Sequence, residues 1–276
     1  MQRSALATRL ERSRITGALL MDRVSDALGR SRSREIPDNP SAHPPGSTRV
    51  ETREHAAAVY LKGSGIEIGA LNLPLRVPAR AHVRYVDYLP AKALAEHWRE
   101  RIGAEDPMVI PDVVDDGERL EKFRDRSLDF VIANHFIEHT QDPLGTLASH
   151  LRVLRPGGVV FMAVPDKRKT FDVLRPVTPL EHLVRDHTEG PQVSREAHYV
   201  EWAALVERVP SDEVHPQASR LMDEGLSIHF HTWTPDSYLR MLLHCQDTGM
   251  PIEIELVQQN EVEFLTVLRK TGAQSA

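Results

Sequence analysis

The sequence predicts an α/β fold: a mostly parallel, seven-stranded sheet with a C-terminal antiparallel hairpin and a helical insert after the fifth strand. Five short apolar runs between Gly65 and Val164 alternate with amphipathic stretches, the pattern of a sheet covered on both faces. After Asp166 the pattern breaks into polar, helix-like pieces. Two alternating runs near the C-terminus then flank Gln258-Gln259-Asn260, as the strands of a hairpin do.

Taken in order, residues 1 to about 30 place Leu6, Leu10, Ala18, Leu19, Val24 and Leu28 at loosely helical intervals among arginines. Such a helix can dock on its own domain or on a second subunit of a homo-oligomer; a membrane surface is the alternative. Residues 37 to 47 hold four prolines and read as a linker, because proline breaks regular hydrogen-bonded structure. Residues 1–49 thus precede a domain over 50–270, and 271–276 form a tail. A helix is expected over 52–61 and a first strand over GIEIG (65–69). A second strand over 83–86 ends at Asp87, followed by a helix over 91–102 with Leu94 and Trp98 on one side. Strands over 108–114, 128–133 and 159–164 come next, with helices alternating between the runs. The insert, 167–228, shows helical pieces and no convincing strand. Thr234-Pro235-Asp236 opens a helix over 233–246, and the hairpin strands are 252–257 and 262–268.

Composition narrows the function. The chain has 276 residues, 41% apolar and 27% charged, with a formal net charge of -6, so no global basic field invites nucleic acid. Cys245 is the only cysteine, which rules out an intramolecular disulfide and a cysteine-rich zinc site and fits a reducing compartment. No run approaches 18 consecutive apolar residues and the N-terminus lacks the apolar core of a secretory signal, so no integral membrane segment and a cytoplasmic location are expected.

The stretch HFIEH (135–139) carries two readings. A zinc-protease pattern needs both histidines on one long helix. The apolar run ending at Ala133 instead puts them just past a strand, and LRPGG (154–158) follows after room for one helix. Ligands of parallel sheets bind beyond the carboxyl ends of the strands. Those ends here carry Gly69, Asp87, Asp116, Asn134 with His135, and Asp166.

The ordered set GIEIG, VRYVD, DDGERL, SLDFVIANHFIEH and LRVLRPGGVVFMAVPD resembles the class I S-adenosylmethionine-dependent methyltransferases, in particular the type 11 group, over residues 64 to 166. The resemblance implies a Rossmann-like methyltransferase fold, S-adenosylmethionine as cofactor and methyl transfer as the reaction. It assigns Asp87 to the ribose hydroxyls, Glu67 to ordering the first loop and the methionine amino group, and Gly69 with Ala70 to close backbone approach. Asp116 with Gly117 would meet the adenine edge, with Asp115 leaving the register open by one. Asn134 and His135 would line the floor near the methionine part. One departure stands out: Ala70, Leu71, Asn72, Leu73 and Pro74 follow Gly69 where the family has further glycines. That loss argues against a dinucleotide, whose pyrophosphate needs a glycine-rich cradle, and matters less for a cofactor without phosphate.

The remaining polar residues suggest chemistry. A hydroxyl that attacks a methyl group must lose its proton, and a neutral imidazole suits that task. His139 is the candidate base, with Asp166 to orient it or bind the hydroxyl and His135 as a further catalytic candidate; the alternative is that His139 caps the turn at 140–142. In the late insert and after it, His198, Tyr199, Trp202, His229, His231 and Trp233 suit a polyhydroxylated ring held by stacking and hydrogen bonds, or else pack a core. Asp166 and His139 with an insert histidine are candidate ligands for a divalent metal, although the spacing is not diagnostic. The expectation is an S-adenosylmethionine-dependent O-methyltransferase acting on a small molecule or saccharide. A non-catalytic cofactor-binding or scaffold protein of the same fold and an N-methyltransferase are the alternatives.

Overall fold

A computed structural model of the protein describes residues 52–102 and 108–272, apart from the side chains of 99–102. The expected N-terminal helix and proline-rich linker lie outside the described residues. Helix α1 (Arg53–Tyr60) opens on Thr52, whose hydroxyl accepts the His55 amide at 3.1 Å. It leads into β1 (Gly63–Ile68), and β2 (Ala81–Asp87), α2 (Ala91–Ile102), β3 (Val113–Val114) and β4 (Leu128–Ile132) follow. Then come α3 (Pro143–Val153), β5 (Leu154–Pro165), the insert helices α4 (Leu180–Glu189), α5 (Arg195–Leu205) and α6 (Val214–Asp223), α7 (Pro235–Asp247), β6 (Ile252–Asn260) and β7 (Glu263–Lys270).

The seven strands form one sheet in the order β3-β2-β1-β4-β5-β7-β6. Strands β1 to β5 pair in parallel, and β7 runs antiparallel between β5 and β6. The chain leaves β1 toward β2 and later returns to place β4 on its other side. This reversal opens a crevice at the carboxyl ends of β1 and β4.

Period-two alternation sorts the apolar side chains into two layers. Val131, Val160, Met162 and Val164 share a core with Leu147 and Leu151 of α3 and with Tyr238 and Met241 of α7. Phe130, Ile132, Phe161 and Ala163 face the other way, against Ala56 and Ala57 of α1, Leu61 and Leu75. The insert carries a small core of its own: Tyr199 and Ala203 of α5, Ala218 and Leu221 of α6, and Ile228 and Phe230 beyond them.

Four expectations are corrected. The third strand shrinks to two residues, because Pro111 offers no amide and the Asp112 carboxylate takes the Tyr85 amide at 2.7 Å. Helices do not separate every pair of strands: residues 69–80 and 115–127 hold none. In the first of these, Pro74 and Pro78 interrupt the chain and the Leu75 amide turns to Glu67. The Pro156-Gly157-Gly158 stretch is part of β5, where pairing with β4 jumps from Leu128–Leu154 to Phe130–Val159. The hairpin turns at 261–262, with Glu261 at φ 49°, rather than at 258–260.

Candidate functional site

The crevice begins at Gly69, whose φ of 64° favours glycine and where an added Cβ would meet nothing within 4 Å. Its open side therefore faces space. Below it Glu67 is buried, and its two oxygens accept the Leu75 amide at 3.0 and 3.1 Å. Burial pushes this carboxyl up to about 7 against the pull of the Leu75 amide and of Arg53. At the end of β2, Asp87 is buried and accepts the Tyr88 amide at 2.8 Å. Burial raises its pKa, opposed by the Tyr88 and Leu89 amides.

The two neighbouring acids after β3 differ in freedom. Asp115 is buried and occupied, accepting the Asp116 and Lys122 amides at 2.9 Å each. The Asp116 carboxylate accepts the Glu118 amide at 2.9 Å, and its side chain is 54% exposed. Gly117 is required by close approach: a Cβ would come within 2.6 Å of Ile68 and 2.8 Å of the Phe136 ring. At the end of β4 the Asn134 Oδ1 is buried without a hydrogen-bond partner among the described residues. An open glycine edge, an orphaned acceptor and the acids Glu67, Asp87 and Asp116 fit a cationic nucleoside better than a pyrophosphate.

HFIEH forms no long helix. Only Ile137–His139 make a single 3-10 turn, and His135 sits at φ 49°. The His135 ring is held between carboxylates, with Nε2 at 2.8 Å from Glu263 and Nδ1 at 3.5 Å from Glu138. Burial lowers its pKa, but the two acids outweigh it and the net shift is upward. Glu263 also takes the Arg53 Nε at 2.6 Å and the Asn260 amide group at 3.0 Å. Burial favours its neutral form, yet Arg53 and His135 hold it well below the usual carboxylate range. His135 thus belongs to an ionic network joining α1, the β4 loop and β7.

His139 differs. Its Nδ1 lies 3.0 Å from the Ile228 carbonyl and 3.1 Å from the Ser227 hydroxyl. A carbonyl only accepts, so Nδ1 carries the proton and Nε2 keeps a lone pair. Burial, with the neighbouring His229 adding to it, pushes the imidazole down to about 4. His229, 4.7 Å away between ring centres, is bound through Nδ1 to Asp172 at 2.6 Å. Asp172 also accepts Arg175 at 2.9 Å, and Arg175 in turn donates to the His229 carbonyl at 2.7 Å and to Glu201 at 2.7 Å.

The expected pairing of Asp166 with His139 does not form. Asp166 is fully buried, caps the turn Lys167–Lys169 and takes the Arg168 guanidinium on both oxygens, at 2.9 and 2.6 Å. The donor group around His139 is completed by Glu138 and His229 instead. Among the residues expected to hold substrate, Tyr199 and Trp233 are packed inside, the Tyr199 hydroxyl donating to the Leu226 carbonyl at 2.9 Å. A short apolar segment gives no sign of which ring will be core. Trp202 stays half-buried, edge-on to Phe171 at 5.6 Å and beside Arg175. His198 and His231 join His182 and Asp186 in a separate cluster. Sequence reasoning missed Glu138, Asp172, Arg175, Glu263 and Asp186. Only Asp186 left a readable trace, four residues after His182 and hence on one helical face.

No helix among the described residues is long and apolar enough to cross a membrane. Residues 63–162 match the family described as "Methyltransferase domain", of the type 11 group. No curated protein matches the sequence. Among solved structures, the chain is similar to an S-adenosylmethionine-dependent methyltransferase from Aquifex aeolicus, with 12% identity, 85% of this chain and 99% of that one covered and a TM-score of 0.42. A second, from Methanosarcina mazei, shows 16% identity over 77% of this chain and 95% of that one, with a TM-score of 0.41. The ordered motifs, the family match over residues 63–162 and the strand order together support a class I S-adenosylmethionine-dependent methyltransferase of the type 11 group.

Proposed function

We propose that this methyltransferase acts on a hydroxyl of a small molecule, with saccharides as the favoured class, and that His139 accepts the proton. One observation carries the reading: the Ile228 carbonyl fixes the His139 tautomer, leaving an unprotonated Nε2 on an imidazole that stays neutral above about pH 4. Bound S-adenosylmethionine supplies an electrophilic methyl group on a sulfonium. The chain's part is to hold and align. Asp87 accepts the ribose hydroxyls, Asp116 meets the adenine edge, and Glu67 with Asn134 Oδ1 receives the methionine amino group. The half-buried Trp202 and Phe171, with the buried His229 beside them, offer apolar faces and a polar edge to a hydroxylated ring. An imidazole with so low a pKa is a weak base, so alignment of hydroxyl oxygen, methyl carbon and sulfur contributes more to rate than proton removal.

Calorimetry with S-adenosylmethionine and S-adenosylhomocysteine, followed by a methylation assay on a saccharide panel and on small-molecule extract, tests the proposal. Cofactor binding with an O-methylated product supports it. Binding without product favours a cofactor-binding scaffold, and an N-methylated product moves the acceptor to nitrogen. Asp87→Ala should weaken cofactor binding at least ~10-fold by removing a charged acceptor; unchanged affinity would remove Asp87 from the site.

A further inference from the structure

We propose that His182, Asp186, His198 and His231 bind a divalent transition metal of the zinc class, in a site separate from the methyl-transfer crevice. One potential ligand atom from each residue lies within 4.8 Å of every other. His182 Nε2 is 3.1 Å from His198 Nε2 and 3.0 Å from Asp186 Oδ2, and His198 Nε2 is 3.8 Å from the same oxygen. Ligands at about 2.0–2.1 Å around a tetrahedral ion lie roughly 3.3 Å apart, so these separations are close to what an ion would impose. Three imidazoles and one carboxylate are a donor set that suits zinc and its neighbours rather than calcium or magnesium.

A second, independent observation asks for a ligand. Asp186 and His231 are fully buried, yet Asp186 Oδ1 and His231 Nδ1 have no hydrogen-bond partner among the described residues. The Arg185 guanidinium approaches that oxygen at 3.9 Å. Orphaned acceptors in the interior are costly, and a metal ion removes that cost.

Outer contacts already aim the ligands. His231 Nε2 donates to the Gln141 carbonyl at 3.4 Å, which leaves Nδ1 with its lone pair. The Ser194 hydroxyl donates to Asp186 Oδ2 at 2.8 Å. Arg185 approaches His182 Nδ1 at 3.3 Å, and this half-exposed arm must withdraw when Nδ1 takes the proton that metal binding displaces from Nε2. Helical spacing puts His182 and Asp186 on one face of α4; α5 brings His198, and the segment before α7 brings His231. That same segment carries Ser227 and Ile228, the two residues that hold His139. The metal would therefore pin the insert to the segment that orients the proposed base, a positioning role distinct from the donor group Glu138, His139 and His229.

The test uses the full chain, stripped with chelator and titrated with zinc chloride, and with cobalt chloride to read the visible bands of tetrahedral cobalt. About one metal per chain, with those bands, is expected. His182→Ala and Asp186→Asn should weaken binding by ~100-fold or more, while His229→Ala leaves it within a few-fold. Circular dichroism checks each fold; if Asp186→Asn unfolds, the partly exposed His182 decides. Absence of metal binding by the unmodified chain overturns the site. So does loss in His229→Ala with retention in His182→Ala, which would place the metal on the other donor group. Cofactor binding and methylation are measured separately, so failure of either reading is distinguishable from failure of the other.

Discussion

At the scale of single residues, His139 shows how a partner determines a role. A histidine past a strand end is an ordinary motif, but donation from Nδ1 to Ile228 selects the tautomer that can accept a proton. His139→Ala should lower kcat by ~10- to 100-fold and leave cofactor affinity within a few-fold, because the group acts only as the hydroxyl loses its proton. Loss of cofactor binding would reassign it to the crevice. The pH profile is a second check. With the imidazole held down to about 4 by burial and by His229, the neutral, active form persists as pH falls from 8 to 5. At saturating cofactor kcat should stay level over that span and decline only toward 4, whereas a midpoint near 6.5 would show an imidazole in ordinary solvent. Asp166 teaches the opposite lesson. It stands at a strand end as expected, and Arg168 two residues on takes both of its oxygens.

At the scale of elements, Glu263 at the start of β7 gathers Arg53 of α1, His135 of the β4 loop and Asn260 at the end of β6. A buried carboxylate shared by two cations is costly to remove, because the cations are left behind. Glu263→Gln should destabilise the protein by about 3–5 kcal/mol, seen as a lower urea midpoint with an unchanged slope. A loss below about 1 kcal/mol would mean that the network adds little net stability. Neither partnership is visible in the sequence, since 210 residues separate Arg53 from Glu263 and 128 separate His135 from it.

Across the whole molecule, His150 links proton uptake to stability. It is fully buried on α3, donates to the Gly117 carbonyl at 2.8 Å and lies beside the Phe136 ring. Burial, opposed by that carbonyl, pushes it down to about 4. Between pH 6.5 and 4 the unfolded chain takes a proton that the folded chain refuses. The neutral ring's contribution is therefore complete above 6.5 and lost as pH falls toward 4, roughly 3 kcal/mol in all. Melting temperature should drop from pH 7 to pH 5, and His150→Gln should flatten that drop even if it lowers the value at pH 7. An equal pH slope in both proteins would show that other groups govern acid unfolding.

What the sequence by itself determined was the order of the strands, the hairpin and α7, and the acids at the strand ends. Period-two and helical spacing are local, so they survive without knowledge of the neighbours: the five parallel strands, the hairpin and α7 were legible from Ile66, Val131, Val160 and Thr234 onward. The tertiary structure decided the partners. It gave Asp166 to Arg168, His135 to Glu263 and His231 to the group around Asp186, and it enclosed Tyr199 and Trp233. The reason is physical: a side chain's propensity is set by its own backbone, whereas its charge, tautomer and exposure depend on groups that only folding brings within hydrogen-bond distance.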